Sequence, residues 1–133
     1  MIIRVDMQSP VPIYEQIRDQ VVLGIAMKKL MPGEGLPSVR QLAADLGVHF
    51  HTVNKAYSLL YDEGYIIMNR RNGAVVVQAE AGGEVFLIKL SRRLLLIAAE
   101  AVCHLIGKEA FIALCADCYS HAAEGETGNG GKP

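Results

Sequence analysis

The sequence has almost no net charge: 13 Lys and Arg stand against 14 Asp and Glu, leaving −1 over 133 residues with histidine neutral. A strongly basic coat for nucleic acid is thereby excluded, and any contact with a polyanion must come from a few cations gathered on one face. Cysteine is scarce and odd in number, three residues late in the chain, which excludes the disulfide framework of a small secreted domain and fits a reducing compartment. The N-terminus has no basic stretch leading into an apolar run, and the greasiest segment, Leu94 to Ile106, is broken by Glu100 and His104. A cytoplasmic protein with no membrane partner is expected. Catalytic constellations are also missing: there is no Ser/His/Asp spacing with elbow glycines, no phosphate-cradling glycine loop and no converging carboxylate pair. No enzymatic activity and no cofactor are expected.

What is there is apolar material in helical register. Just over half of the residues are hydrophobic, enough for a packed core in one compact domain with an appendage of two helices, and too little chain for a large enzyme fold. After Pro12, the positions Ile13, Ile17, Val21 and Ile25 recur every four residues, predicting an amphipathic helix of about five turns that Pro32-Gly33 stops. A loop then runs to Pro37. Ser38 and Gln41 have the spacing of a capping box, opening a short helix with Val39, Leu42, Ala43 and Leu46 inward and Gly47 at its end. A third helix carries Val53, Ala56, Tyr57 and Leu60 on one face and ends near Gly64. Two helices a few residues apart with glycine between them are the sequence form of a helix-turn-helix. Tyr65 to Asn69 and Ala74 to Gln78, around Arg70-Arg71-Asn72-Gly73, read as a hairpin, the wing.

Beyond a linker at Ala79 to Glu84, a long helix is expected from about Val85 to Ile106 and a second from Lys108 to about His121. Leu87, Leu90, Leu94, Ile97 and Ala101 fall near a 3.5-residue period, and the polar stripe of Lys89, Arg93, Glu100 and His104 is narrow. The second helix is expected to cover part of that surface, and a second copy of the chain the rest. The fold class is therefore mainly α with a small β-hairpin wing: a winged helix-turn-helix at residues 1–79, a helical dimerisation and effector region at 80–123, and a disordered tail at 124–133.

Three segments carry a resemblance: Pro12-Ile13-Tyr14-Glu15-Gln16-Ile17; Pro32-Gly33 through Leu36-Pro37-Ser38-Val39-Arg40-Gln41-Leu42-Ala43; and Leu46-Gly47-Val48 with Thr52-Val53-Asn54-Lys55-Ala56-Tyr57. In register over residues 12–77, they resemble the winged-helix domain of the GntR family of transcription regulators, and the short C-terminal part resembles its YtrA-type branch. The resemblance implies a DNA-binding regulator, and it implies that Arg40 touches DNA.

The residue types fit that role. A guanidinium at Arg40 can fork onto guanine O6/N7 or grip a phosphate, the alternative being a tie to a nearby carboxylate. His49, Phe50, His51 and Thr52 start the recognition helix, the end that enters a major groove, with Asn54 and Lys55 one turn on. Free N–H groups there, with Thr52, suit a phosphate. Phe50 either meets a thymine methyl or covers the helix-turn-helix corner. The branch often has Asn-Pro-Asn where His49-Phe50-His51 stands. The two histidines are expected on different faces of the helix, unsuited to sharing a metal. Arg70 and Arg71 would reach phosphates or a narrowed minor groove, with Gly73 closing the turn, or else form a solvated charge pair. The DNA-contacting set is then Ser38, Arg40, His49, Phe50, His51, Thr52, Asn54, Lys55, Arg70, Arg71 and Gly73. Tyr14 and Tyr57 are expected as core aromatics with wet hydroxyls.

Cys115 and Cys118 form a C-x-x-C with His121 close by and Cys103 in the preceding helix. No metal is expected, but these four residues are the ones a metal- or redox-responsive regulator would use; burial of the cysteines on an apolar helix is the plainer expectation. The helical arm is too short to enclose a ligand pocket in one subunit, so a small-molecule effector would bind at the dimer interface. The expected function is a repressor reading a palindromic operator as a homodimer. A protein-interaction module is the rival, opposed by Arg40, Lys55, Arg70 and Arg71 lying on one side. Regulators fused to an aminotransferase-like enzyme share similar motifs, and the end of this chain at Pro133 is expected to set it apart.

Overall fold

The computed structural model describes residues 3–71 and 73–125. Its elements run α1 (Ile13–Ala26), α2 (Val39–Leu46), α3 (Phe50–Asp62), β1 (Ile66–Asn69), β2 (Gly73–Val76), α4 (Glu84–Cys103) and α5 (Lys108–Glu124). They fall into two compact units, Met1–Ala79 and Glu80–Pro133. The first is a winged helix-turn-helix of three helices and a hairpin, and the second is a pair of helices.

In the first unit α3 is the central element, packed against α1, α2 and β1. Ile17 and Val21 of α1, Leu42 and Ala43 of α2, Val53, Ala56, Tyr57 and Leu60 of α3 and Ile66, Ala74 and Val76 of the hairpin close one core. Each large aliphatic side chain removed from water there contributes about 1.5–3 kcal/mol. Among the described residues no buried side-chain nitrogen or oxygen lacks a partner.

Helix α1 stops at Ala26, short of the five turns its periodicity predicts, and Pro32-Gly33 is not what stops it. Lys28 turns the chain through a left-handed conformation (φ 64°). The N–H groups of Lys29 and Leu30 then both return to the Gly24 carbonyl at 2.8 and 3.1 Å. Leu30 thereby enters the core at 1% exposure. A non-glycine residue in that conformation costs about 1–2 kcal/mol, which burial of a leucine, about 1.5–3 kcal/mol, offsets. Leu30 therefore decides where the helix ends.

The stretch before Pro37, which reads as loop, hydrogen-bonds along β2 through an isolated antiparallel bridge. Gly33 N donates to the Val76 carbonyl (2.7 Å), Val76 N to that of Glu34 (2.9 Å) and Leu36 N to that of Ala74 (2.8 Å), with Gly35 bridged antiparallel to Val75. The hairpin pairs Ile66 with Val76 through Asn69 with Gly73, so β2 begins one residue earlier than expected and Gly73, at φ 70°, belongs to the strand as well as closing the turn. Along α1, two glutamines hold the N-terminal segment: Gln20 exchanges hydrogen bonds with the backbone N–H and carbonyl of Arg4. Gln16 does the same with Asp6 (2.8 and 3.0 Å) and also donates to Val11 O (2.8 Å).

In the second unit α4 ends at Cys103, three residues before the expected Ile106, because Leu105 adopts φ 62° and Ile106 N turns back to the Ala101 carbonyl at 2.9 Å. Most of the apolar face of α4 stays open. Leu87, Leu90, Leu94 and Ile97 stay 41–55% exposed, and Ala101 alone is buried among the described residues of this unit. Helix α5 continues to Glu124 and is capped at Gly125, within the segment expected as tail; residues 126–133 of that tail lie outside the described residues. Among the described residues no helix is long and apolar enough to cross a membrane.

Candidate nucleic-acid interface

The start of α2 and the start of α3 form one surface. Ser38 caps α2, its hydroxyl accepting from Gln41 N at 3.0 Å. The box is half made, because the Gln41 side chain donates instead to Asp45 at 2.8 Å. The cap sets the first turn, on which Arg40 is exposed. No described carboxylate pairs with Arg40; the ion pairs among the described residues belong to Arg18. Its guanidinium carbon lies 5.4 Å from the centre of the Phe50 ring, a cation–π contact joining the two helix starts. Phe50, 38% exposed, is thus neither sealed into the corner nor free.

The cap of α3 is a histidine. His49 is extended (φ −69°, ψ 144°), and its side chain folds forward to accept from His51 N, Nδ1 to N 3.2 Å. Because His49 precedes the helical turn, the expectation that the two histidines face apart fails. Their rings stack at 4.7 Å, with Phe50 5.0 Å from His49 and 4.2 Å from His51. Thr52 N donates to the His49 carbonyl at 3.0 Å. Two of the N–H groups expected to be free for a phosphate are therefore occupied, and the exposed chemistry of this helix end is aromatic and imidazole edge rather than bare amide.

One turn on, Asn54 is exposed and Lys55 leans away towards α1, its ammonium 4.1 Å from the centre of the Tyr14 ring. Sequence reasoning placed Tyr14 in the core and missed that its face carries a cation of the reading helix, although it lies inside one of the motif segments. Tyr57 is core, but its hydroxyl is not wet: it donates to the Pro37 carbonyl at 2.7 Å, tying α3 to the residue before the α2 cap. Burial pushes its phenol well above the ordinary tyrosine range. Arg70 and Arg71 are exposed at the hairpin tip, where Arg71 N donates to the Asn69 side chain at 2.8 Å. Among the described residues no hydrogen bond or ion pair joins them to the α2 and α3 starts.

Arg18 marks the contrast. It faces Glu63 (2.8 Å) and Asp19 (3.0 Å), joining α1 to the end of α3. Burial lowers its pKa, and the hydrogen bonds to Glu63 and Asp19 more than reverse that, leaving it raised. In the second unit the cysteines are free, with Cys103 and Cys118 exposed and Cys115 half-buried. Burial of these thiols is not met within one chain, and no group of three or more possible metal ligands forms among the described residues, Cys103, Cys115, Cys118 and His121 included.

The family model described as bacterial regulatory proteins, gntR family, matches residues 13–76. The transcriptional repressor YtrA of Bacillus subtilis is 43% identical over 75 residues, 56% of this chain and 57% of that protein. The solved structure of YtrA from Sulfolobus acidocaldarius, a GntR-family transcription factor, aligns over 71% of this chain and 98% of its own at 44% identity and TM-score 0.59. A transcriptional antiterminator from Listeria monocytogenes aligns over 94% of both chains at 27% identity and TM-score 0.84. The DNA-binding domain of AraR, solved in complex with an operator, aligns over 58% of this chain and 99% of its own at 26% identity and TM-score 0.52.

Proposed function

The chain belongs to the gntR family of bacterial regulatory proteins, DNA-binding transcription regulators rather than enzymes, and from that premise we propose that it is a cytoplasmic repressor that reads a palindromic operator as a homodimer. The observation that carries this is the joined start of α2 and α3, where Arg40, His49, Phe50, His51 and Asn54 are exposed together and Arg40 keeps its charge unpaired among the described residues. In a major groove, Arg40 reads guanine or grips phosphate, His49, Phe50 and His51 set base preference, and Asn54 and Lys55 reach base edge or backbone. Ser38 and Thr52 approach the phosphate chain through their hydroxyls. Arg70 and Arg71, set out by the turn at Gly73, lie along phosphates or a narrowed minor groove.

Dimerisation follows from the arm. Among the described residues Leu87, Leu90, Leu94 and Ile97 present apolar side chains that stay 41–55% exposed, and such a surface in water favours a second copy. Ala101, buried within the second unit, continues the same apolar period at the end of the helix. A small-molecule effector, if the protein takes one, binds where the two arms meet. Repression by occupancy agrees with the repressor of Bacillus subtilis among the relatives. The test is selection of bound fragments from random duplex DNA, with arms containing metal ions and reductant. Enrichment of an inverted repeat, lost by Arg40→Ala, supports the reading; a monomer with no preference among duplexes overturns it.

A further inference from the structure

The cations of the first unit are held in two different ways. Arg18 lies 5.8 Å from the centre of the Tyr65 ring and is also bound by two carboxylates, which cancel its charge. Lys55 and Arg40 have aromatic faces, Tyr14 at 4.1 Å and Phe50 at 5.4 Å, and no carboxylate among the described residues. A ring face attracts a cation through its quadrupole but carries no net charge, so it restrains the side chain without neutralising it. For a lysine that must meet a phosphate, this matters: a long flexible side chain loses rotamer freedom on binding, and one already restrained loses less.

We propose that Tyr14 is a positioning residue for DNA binding, its ring holding the Lys55 ammonium in place with the full charge available to a phosphate. This rests on the DNA-binding reading above. Phe50 has the same relation to Arg40 at longer range, but Phe50 belongs to the proposed contact set, so the clean test lies at Tyr14. The ring's other function, partial packing against the core, is separated by a double-mutant cycle with Lys55.

The probe is a mixed-sequence DNA duplex, since a phosphate contact needs no particular operator. Tyr14→Leu weakens binding about threefold at low salt, with the salt slope unchanged because Lys55 still releases its counterion. Tyr14→Phe, which keeps the ring, restores wild-type affinity. Lys55→Met lowers the slope by about one, and in that background Tyr14→Leu has no further effect. If Tyr14→Leu weakens binding equally with and without Lys55, or if Tyr14→Phe is as weak as Tyr14→Leu, the ring acts only structurally and the proposal is overturned. Tyr14→Met replaces the leucine variant should that one not fold. Wild-type protein that ignores DNA even at low salt overturns the DNA-binding reading itself, a different failure.

Discussion

Tyr57→Phe isolates a single hydrogen bond that couples the reading helix to the α2 cap. The ring is fully packed at 2% exposure and keeps that packing as phenylalanine, so the change deletes the 2.7 Å bond to the Pro37 carbonyl and little else. A typical intramolecular hydrogen bond contributes about 0.5–1.5 kcal/mol net, and a stranded buried acceptor costs more. Pro37 is exposed, so water can reach its carbonyl, and the loss should be about 1 kcal/mol, or a fall in Tm of roughly 4–8 °C for a unit of this size. Urea denaturation at pH 7 checks the first figure. The pH dependence supplies a second, independent sign. Burial raises the folded pKa of Tyr57 above its unfolded value near 10, so its contribution is fully present below about pH 10 and falls, at up to about 1.4 kcal/mol per pH unit, as the unfolded phenol ionises while the folded one stays neutral. Wild type must therefore lose stability more steeply above pH 10 than Tyr57→Phe does. Equal stability at pH 7 together with parallel alkaline profiles would refute the assignment of this hydroxyl as a bonded, buried group.

Arg40→Ala should cost about 1–3 kcal/mol of operator affinity and relax base preference, whereas Arg71→Ala should mainly reduce the salt slope; a salt titration of both variants against the selected site and a scrambled one distinguishes them. Ser38→Ala removes the α2 cap and should destabilise the first unit by about 1 kcal/mol in urea, with a parallel loss in operator affinity through the misplaced Arg40. Leu94→Lys, placed on the exposed face of α4, should yield monomers in sedimentation with an unchanged urea midpoint for the first unit, and a dimer of wild-type affinity would remove α4 from the contact.

The helices of the first unit were legible because periodicity and caps agreed: Ser38, Gly47 and Gly64 stand at helix ends, and the buried faces of α2 and α3 hold the expected residues. Legibility failed where a distant contact overrode a local signal. The end of α1 depends on burying Leu30, which no local pattern reveals, and residues 33–36 are drawn into strand pairing by β2, forty residues away, in a stretch whose proline and glycines argue for loop. In the second unit the apolar period was readable, and so was the expectation that two helices cannot enclose so wide an apolar surface: Leu87, Leu90, Leu94 and Ile97 stay 41–55% exposed.

At the candidate interface the residues were legible by type and their relations were not. Helical spacing placed His49 and His51 on different faces, and the stack arises because the first of them is a cap with extended backbone. The near-zero net charge misleads for a related reason. Charge counts give Arg18 and Arg40 equal weight, yet Arg18 is spent on Asp19 and Glu63 while Arg40 and Lys55 rest on rings that leave their fields intact. What a polyanion senses is the charge left unpaired on one face, and that quantity is set by packing among α1, α2 and α3, which place a carboxylate beside one cation and an aromatic face beside the others.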